Sequence, residues 1–271
     1  MSLSCCSKKR LSDMFTRYSS LVLAQVALCF FIIACVGIPA QTAMSAPLKA
    51  TLAAEDSWPP FADEFGSGIS HRLIQQAYKQ VGVEVSTIVV PYTRGLIMAE
   101  RGTVDGVFNV TREQSTIKRF VFGQVPLFTV DASFFFSKAQ LPTITNKWQL
   151  PRGSVIGIID GYEYGDELPQ LINQRQLTVI KVNSQRQLIN LLLVGRIDSA
   201  IMYDLVADVY IEQMGVKQEI IAKFSNHKSE IFVAFSKKNP QASTLSLLLD
   251  KGLLKLKQQG LYQQLLVPTD D

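Results

Sequence analysis

The sequence predicts an α/β protein built from two lobes, each with a largely parallel sheet and helices on its faces. The first observation is that strand-like and helix-like apolar patterns alternate in both halves of the chain, which is the order that crossover helices between parallel strands produce. The second is that two phenylalanine-rich strands, 132–137 and 230–236, stand outside this alternation. We expect these two strands to run side by side as the hinge between the lobes.

The first 45 residues have the features of an export signal. Basic residues precede an apolar run from Leu21 to Ile38, and Ala43-Met44-Ser45 supplies a small-residue cleavage site. Two alternatives remain open. A membrane anchor could be retained, because an apolar run of about 20 residues can span a bilayer. Cys35 could instead be lipidated, because Ile32-Ile33-Ala34-Cys35 has the form of a lipobox. Each alternative places the mature protein outside the inner membrane, in the periplasm.

The cysteine and histidine content excludes several chemistries. All four cysteines precede residue 46, so an exported chain would have no disulfide, cysteine nucleophile or thiolate metal site. His71 and His227 are the only histidines, and neither lies in a carboxylate–histidine motif, so we expect no metal centre and no cofactor. Without the signal, 23 Lys and Arg face 22 Asp and Glu, which removes any electrostatic case for nucleic-acid binding.

Apolar spacing defines the elements of the first half. Leu48 to Ala54 is an apolar strand, and the paired prolines of Trp58-Pro59-Pro60-Phe61 require a loop after it. Apolar residues at three- and four-residue spacing from Ile69 to Val81 predict a helix that ends at Gly82. The remaining elements of this half are a strand at 83–90, a helix at 93–101 and a strand at 105–110.

The second half of the chain repeats this order. A strand, a helix, a strand, a helix and a strand are predicted at 155–159, 164–174, 177–182, 184–194 and 199–203. Leucines at helical spacing predict a helix within 240–266 that packs back on the first lobe. The lobe boundaries that follow are 46–134 with 236–271 for lobe 1, and 138–232 for lobe 2.

Asp105 and Asp198 occupy corresponding positions in the two halves. Each follows a Gly-x-x turn and precedes a predicted strand, as Gly102-Thr103-Val104-Asp105 and Gly195-Arg196-Ile197-Asp198. A carboxylate at such a turn commonly accepts backbone N–H groups. We therefore expect both aspartates to be structural.

Motifs spread over residues 48–266 carry a family resemblance. They are the aromatic-Pro-Pro-Phe loop at 58–61, the two Gly-x-x-Asp turns, the strand and turn at 155–161 and the Gly-Leu-Tyr sequence at 260–262. Their order and spacing resemble the polar amino-acid solute-binding family of bacterial ABC transporters, solute-binding family 3. The resemblance implies a two-lobed, type II periplasmic-binding-protein fold that closes over a ligand by hinge motion. The partner that it implies is an ABC permease.

The ligand site is expected at the loops that leave the carboxyl ends of strands, which line the cleft in open α/β folds. Trp58 and Phe61 could form an aromatic wall. Arg94 and Arg112 are alternative grips for a ligand carboxylate, because a guanidinium can bind a carboxylate through two hydrogen bonds. The predicted ligand-binding residues are Asp56, Trp58, Phe61, Arg94, Asn109, Thr111, Arg112, Gly161, Tyr162, Glu163, Tyr203 and Asp204.

Three positions depart from the family's amino-acid-binding pattern. The family's Thr-x-x-Arg motif has Gln114 in place of the arginine. The acidic partner of the ligand's ammonium group falls on Tyr203, with Asp204 one residue later. The family's Gly-Thr turn is here Gly161-Tyr162. These departures leave a polar solute other than an ordinary amino acid open.

The leading functional prediction is a monomeric binding protein without catalytic residues. It would capture a small polar solute, an amino acid or a related compound, for an ABC transporter. A periplasmic sensor that docks on a membrane receptor is the first alternative. The second is a dehydratase-like enzyme, in which Glu163 or Asp56 would be the acid or base.

Overall fold

The computed structural model describes residues 46–268 of the 271-residue chain. The predicted export signal, with its anchor and lipidation alternatives, lies outside the described residues. Within residues 46–268, no helix is both long enough and apolar enough to cross a membrane.

Nine of the strands within residues 46–268 form one continuous sheet, and two short strands form a separate hairpin. In chain order the strands are β1 (Leu48–Glu55), β2 (Ser57–Trp58), β3 (Ala62–Asp63), β4 (Val83–Val90), β5 (Gly106–Thr111), β6 (Phe120–Phe122), β7 (Phe128–Ser137), β8 (Val155–Ile159), β9 (Thr178–Val182), β10 (Ser199–Tyr203) and β11 (Ile220–Ser236). The sheet order is β4-β1-β5-β11-β7-β10-β8-β9, and β6 also pairs with β11.

Helices connect the strands and cover the sheet. They are α1 (Ile69–Lys79), α2 (Tyr92–Arg101), α3 (Gln114–Ile117), α4 (Leu168–Arg175), α5 (Gln185–Leu193), α6 (Asp204–Gln213), α7 (Ala242–Gln258) and α8 (Leu261–Leu265). The C-terminal α7 packs against α1 of the first half, where the Tyr78 hydroxyl donates to the Leu245 carbonyl at 3.2 Å.

The sheet has two parallel flanks and an antiparallel centre. β1 pairs in parallel with β4 and β5, and β8 pairs in parallel with β9 and β10. Between the flanks, β7 and β11 pair antiparallel with each other, while β11 also pairs with β5 and β7 with β10. Parallel neighbours need a crossover connection, and the helices supply it. The predicted α/β class is therefore confirmed.

The register of β7 and β11 differs from the expected one. The strands pair from Phe128 opposite Ile231 to Ser137 opposite Ile220, so residues 132–137 lie opposite 220–227. Residues 231–236 instead pair mainly with β5 and β6. The apolar pattern of the sequence predicts only the last part of β11, in which residues 231–236 are all buried. It does not predict the first eleven residues as a strand, because they are largely solvent-facing and polar.

The two turn aspartates fasten corresponding strand pairs. Asp105 Oδ2 accepts the backbone N–H of Thr51 in β1 at 2.7 Å, and Asp198 Oδ2 accepts that of Val155 in β8 at 2.7 Å. The structural role predicted for both residues is confirmed. The bonds reach the neighbouring parallel strand rather than the aspartate's own turn.

Helix boundaries differ from the sequence prediction in three places. The helix expected at 164–174 begins only at the start of α4, because Gly165 is left-handed at φ +88° and the Tyr164 hydroxyl accepts the backbone N–H of Ile159 at 2.9 Å. The predicted C-terminal helix is divided into α7 and α8 at Gly260, where φ is +71°. As a third difference, helices α3 and α6 have no counterpart in the prediction.

Candidate functional site

A small central chamber lies at the carboxyl ends of the parallel strands. Glu55 ends β1, Tyr203 ends β10, and Tyr162 and Glu163 lie three and four residues after the end of β8. The side chains that line this central chamber are Glu55, Trp58, Tyr92, Asn109, Tyr162, Glu163 and Tyr203. Its free volume is only about 10 Å³, so the lining side chains contact one another across it.

Two tyrosine–glutamate pairs join the halves of the chain across the central chamber. The Tyr162 hydroxyl donates to Oε1 of Glu55, and the Tyr92 hydroxyl donates to Oε2 of Glu163 at 2.7 Å. Each half contributes one glutamate and one tyrosine, so the pairs are reciprocal. The Tyr203 hydroxyl adds a bond to the Glu163 backbone carbonyl at 2.7 Å.

Burial perturbs both glutamates strongly. It raises the pKa of Glu55 to about 8, against the opposing effect of the Tyr162 hydrogen bond and with a smaller contribution from the nearby charge of Asp56. It raises the pKa of Glu163 to about 7, against the Tyr92 hydrogen bond. Desolvation disfavours the charged form of a carboxyl group, which is the physical cause. Perturbed carboxyl groups in a cleft are a recognised sign of a functional site.

Two buried hydrogen-bond donors in the central chamber have no partner among the described residues. The indole N–H of Trp58 and the side-chain amide nitrogen of Asn109 make no hydrogen bond, although these residues are only 2% and 5% exposed. Asn109 is fixed by a bond from Ser70 Oγ to its Oδ1 at 2.5 Å. A buried donor without a partner carries a free-energy cost of about 1 to 3 kcal/mol, so both groups point to an acceptor from outside the protein.

An outer chamber of about 470 Å³ adjoins the central one. The two share Glu55, Tyr92 and Tyr162, so we treat them together as the cleft. The side chains or backbone that the outer chamber adds belong to Asp56, Ser57, Glu64, Pro91, Thr93, Ile159, Asp160, Asn183 and Ser184. Among the described residues that line either chamber, five are acidic and none is lysine or arginine.

A separate rear chamber of about 370 Å³ contains the basic side chains. Lys147 donates to Oε2 of Glu167 at 2.8 Å and to the Asn226 carbonyl at 2.6 Å, and Lys228 Nζ lies 3.8 Å from Asp131 Oδ2. Arg112 donates to the Gly123 carbonyl at 3.0 Å and lies over the Phe232 ring at 4.6 Å. These cations are thus engaged by the protein itself.

His227 and Glu113 also face the rear chamber. Burial, with the nearby charge of Lys147, lowers the pKa of His227 to about 4, so the imidazole is neutral at pH 7. Oε1 of Glu113 accepts the backbone N–H of Gly165 at 3.0 Å and lies 4.0 Å from His227 Nε2. This chamber therefore adds another contact between the two halves.

The structure brings together eight of the twelve predicted ligand-binding residues. The Phe61 ring packs against the Trp58 ring, with the two ring centroids 4.6 Å apart. Gly161 is left-handed at φ +82° and lies against the Thr93 side chain, so a Cβ at this position would collide with the opposite wall. The other six lie in the cleft itself: Asp56, Trp58, Asn109, Tyr162, Glu163 and Tyr203.

The remaining four predicted residues lie elsewhere. Thr111 and Arg112 line the rear chamber. Arg94 is exposed on α2 and lines neither chamber of the cleft. Asp204 accepts a hydrogen bond from Ser133 Oγ at 3.1 Å, outside the cleft. None of Arg94, Arg112 and Asp204, the candidate partners for the charged groups of an α-amino acid, therefore lines the central or the outer chamber.

Two residues of the central chamber, Glu55 and Tyr92, are not among the twelve predicted residues. Glu55 is missed because the sequence places the end of β1 at Ala54, which favours Asp56 as the first loop carboxylate. Tyr92 is missed because the sequence favours Arg94, two residues later, as the ligand-binding residue of the same turn. The rule that residues at or just after the carboxyl ends of parallel strands line the cleft indicates both residues. Glu55 ends β1, and Tyr92 follows β4 by two residues.

The sequence matches no family model and no curated protein. Solved structures give confident matches. A histidine kinase sensor domain with similarity to periplasmic binding proteins has a TM-score of 0.70 at 15% identity, covering 80% of this chain and 93% of that chain. An amino acid ABC transporter substrate-binding protein from Streptococcus pneumoniae, bound to L-arginine, has 0.65 at 20% identity, covering 80% and 92%. An ancestral amino acid-binding protein, a precursor of cyclohexadienyl dehydratase, has 0.64 at 17% identity, covering 80% and 93%.

At sequence identities this low, the structural similarity establishes the fold but not the ligand. The chain has the mixed α/β, two-lobed fold of periplasmic binding proteins, and the predicted fold class is confirmed. Amino-acid-binding proteins of ABC transporters are prominent among its structural neighbours.

Proposed function

We propose that the protein is an exported, monomeric solute-binding protein that traps a small polar solute in the cleft. In this proposal the lobes are 46–134 with 236–271 and 138–232, and β7 and β11 are the hinge. The bound solute would be presented to an ABC permease in the periplasm. The cleft would act by binding and closure alone.

One observation carries this proposal: polar groups from both halves of the chain line the cleft, and two buried donors among them have no partner within the described residues. Trp58 and Asn109 keep free donors inside a chamber that side chains nearly fill. The two tyrosine–glutamate pairs hold the halves together around those donors. A ligand that binds in this chamber would replace contacts between the two halves of the chain. In a hinge-closing protein, this replacement couples ligand binding to the change in conformation.

A sensor role is the second candidate, and the likeness to a histidine kinase sensor domain favours it. The same closure would then be recognised by a membrane receptor instead of a permease. The two roles differ in the partner of the closed form. Pull-down of the ligand-bound protein with candidate membrane partners distinguishes them, because a permease and a receptor kinase are different proteins.

A thermal-shift screen tests the binding function. We expect at least one small polar solute to stabilise the protein, by about 2.7 kcal/mol when its concentration is 100 times Kd. The screen should span amino acids, amines, organic acids and sugars. Each hit should then be incubated with the protein for hours and its concentration followed by chromatography. Consumption of the hit would contradict a purely binding function and favour the dehydratase-like alternative.

A further inference from the structure

We propose that the solute is a small organic cation with an amine or guanidine group at one end. The oxygen that accepts hydrogen bonds at its other end belongs to a neutral amide or hydroxyl group rather than to a carboxylate. This inference rests on the proposed binding function and specifies the class of ligand. It follows from three features of the cleft: its charge, its aromatic walls and its two free donors.

Four of the five acidic residues that line the cleft make no ion pair with a lysine or arginine in the part of the chain that the structure describes. Glu55 and Glu163 accept hydrogen bonds from neutral tyrosines, and Asp56 accepts one from the Ser57 hydroxyl at 2.9 Å. Asp160, at the exposed rim, does have a lysine partner, since Lys181 Nζ lies 3.1 Å from it. No guanidinium or ammonium group in the chamber walls could neutralise a ligand carboxylate, whereas a cation would be attracted to the carboxyl groups and would favour the ionised forms of Glu55 and Glu163.

Aromatic rings complete an environment suited to a cation. Tyr92 and Tyr162 meet edge to face with centroids 5.2 Å apart, and Trp58 and Tyr203 do so at 5.3 Å. All four line the central chamber. Ring faces attract ammonium and guanidinium groups, most strongly where water is excluded. A cation among these rings would also favour the ionised form of the two glutamates, so binding should release protons.

The free donors specify the other end of the ligand. The Trp58 indole N–H and the Asn109 amide N–H need an acceptor, and both are neutral. A hydroxyl or an amide carbonyl satisfies them without bringing a negative charge beside Glu163. The central chamber is nearly filled, so the ligand must displace at least one tyrosine hydroxyl from its glutamate.

Matched ligands test the charge requirement directly. Binding of L-arginine, L-argininamide and agmatine, of L-lysine and L-lysinamide, and of glycine and glycinamide should be measured by calorimetry on protein prepared from the full-length chain. Succinate and glucose serve as anionic and neutral probes. We expect at least one amide to bind ten-fold or more tightly than its amino acid. Equal or tighter binding of the amino acids, or binding of succinate or glucose alone, overturns the cation proposal. Binding of no probe in any charge class overturns the proposed function itself.

Variants test whether the cleft residues cause the preference. Glu55→Gln and Glu163→Gln should each weaken the tightest amide at least ten-fold, because the glutamine keeps an acceptor for its tyrosine but loses the charge. Glu84→Gln is the matched control, since this glutamate lies on β4 and pairs with Lys49 at 3.1 Å on the surface. Unchanged affinity in both cleft variants overturns the proposal. Thermal unfolding of each variant verifies that it is folded.

A third variant separates the two ends of the ligand. Trp58→Phe removes the indole N–H and keeps an aromatic ring. Because the ring change affects the attraction for any cation, the loss should be several-fold greater for an amide than for agmatine, which has no oxygen. An equal loss for both ligands would contradict the role assigned to the indole donor.

Discussion

Raising the pH from 5 to 9 should destabilise the ligand-free protein, with Glu55 as the largest single contributor. Its carboxyl has a pKa of about 8 in the folded protein, raised by burial from an ordinary 4.5. The folded state therefore holds a proton that the unfolded chain has already released between these values. The stability is fully present below pH 4.5 and is lost as the pH rises through 8. For a shift of this size the loss is on the order of 3 to 5 kcal/mol.

Glu163 acts in the same direction over a lower range. Its pKa of about 7 is also raised by burial, so its contribution is lost as the pH rises from about 4.5 through 7. His227 acts in the opposite direction at acid pH. Its pKa is lowered to about 4, so its contribution is present above its ordinary value and is lost as the pH falls toward 4. The profile of the wild-type protein should accordingly have its maximum on the acid side of neutrality.

The variant Glu55→Gln isolates the contribution of Glu55. Urea unfolding at several pH values should give wild type and variant similar stability near pH 5, with the variant more stable by several kcal/mol at pH 9. Glu84→Gln should follow the wild-type profile throughout. If the curves for wild type and Glu55→Gln run parallel from pH 5 to 9, the buried carboxyl does not titrate as the structure requires.

The variant Gly252→Ala is expected to destabilise the protein by about 3 kcal/mol, although alanine is the better helix former. Gly252 lies in the middle of α7, where exchange to alanine ordinarily stabilises a helix by up to about 1 kcal/mol. Here a Cβ would collide with the carbonyl oxygen of Ala77 in α1 and lie 2.6 Å from its carbonyl carbon. Backbone atoms cannot move aside by changing rotamer, so the two helices must separate.

Urea denaturation measures this effect, and a substitution on the same helix controls for it. Leu247→Ala changes a side chain that is 68% exposed, so we expect a change within about 0.5 kcal/mol. A Gly252→Ala protein as stable as wild type would show that α1 and α7 do not approach as closely as described. Because α7 belongs to the C-terminal segment and α1 to the N-terminal one, the result also tests whether lobe 1 is closed by the end of the chain.

Local sequence patterns determined most of the secondary structure and its order. Strand β1 follows the predicted 48–54 closely, and β4, β8 and β10 match the predicted boundaries. A buried strand or an amphipathic helix is recorded in the spacing of its own apolar residues, so no distant contact is needed to recognise it. The general rule that parallel strands open their carboxyl ends to a cleft also placed Trp58, Tyr162 and Tyr203 in one site.

Only the tertiary structure decided the chemistry within that site. The sequence favoured Arg112 as an anion grip, but packing over Phe232 places it in the rear chamber. The sequence did not predict Glu55 as a site residue. Its hydrogen-bond partner Tyr162 lies in a turn more than 100 residues away along the chain. Hydrogen-bond partners, desolvation and unsatisfied donors depend on which groups meet after folding. Spacing along the chain determines which way a side chain faces, but not what lies opposite it.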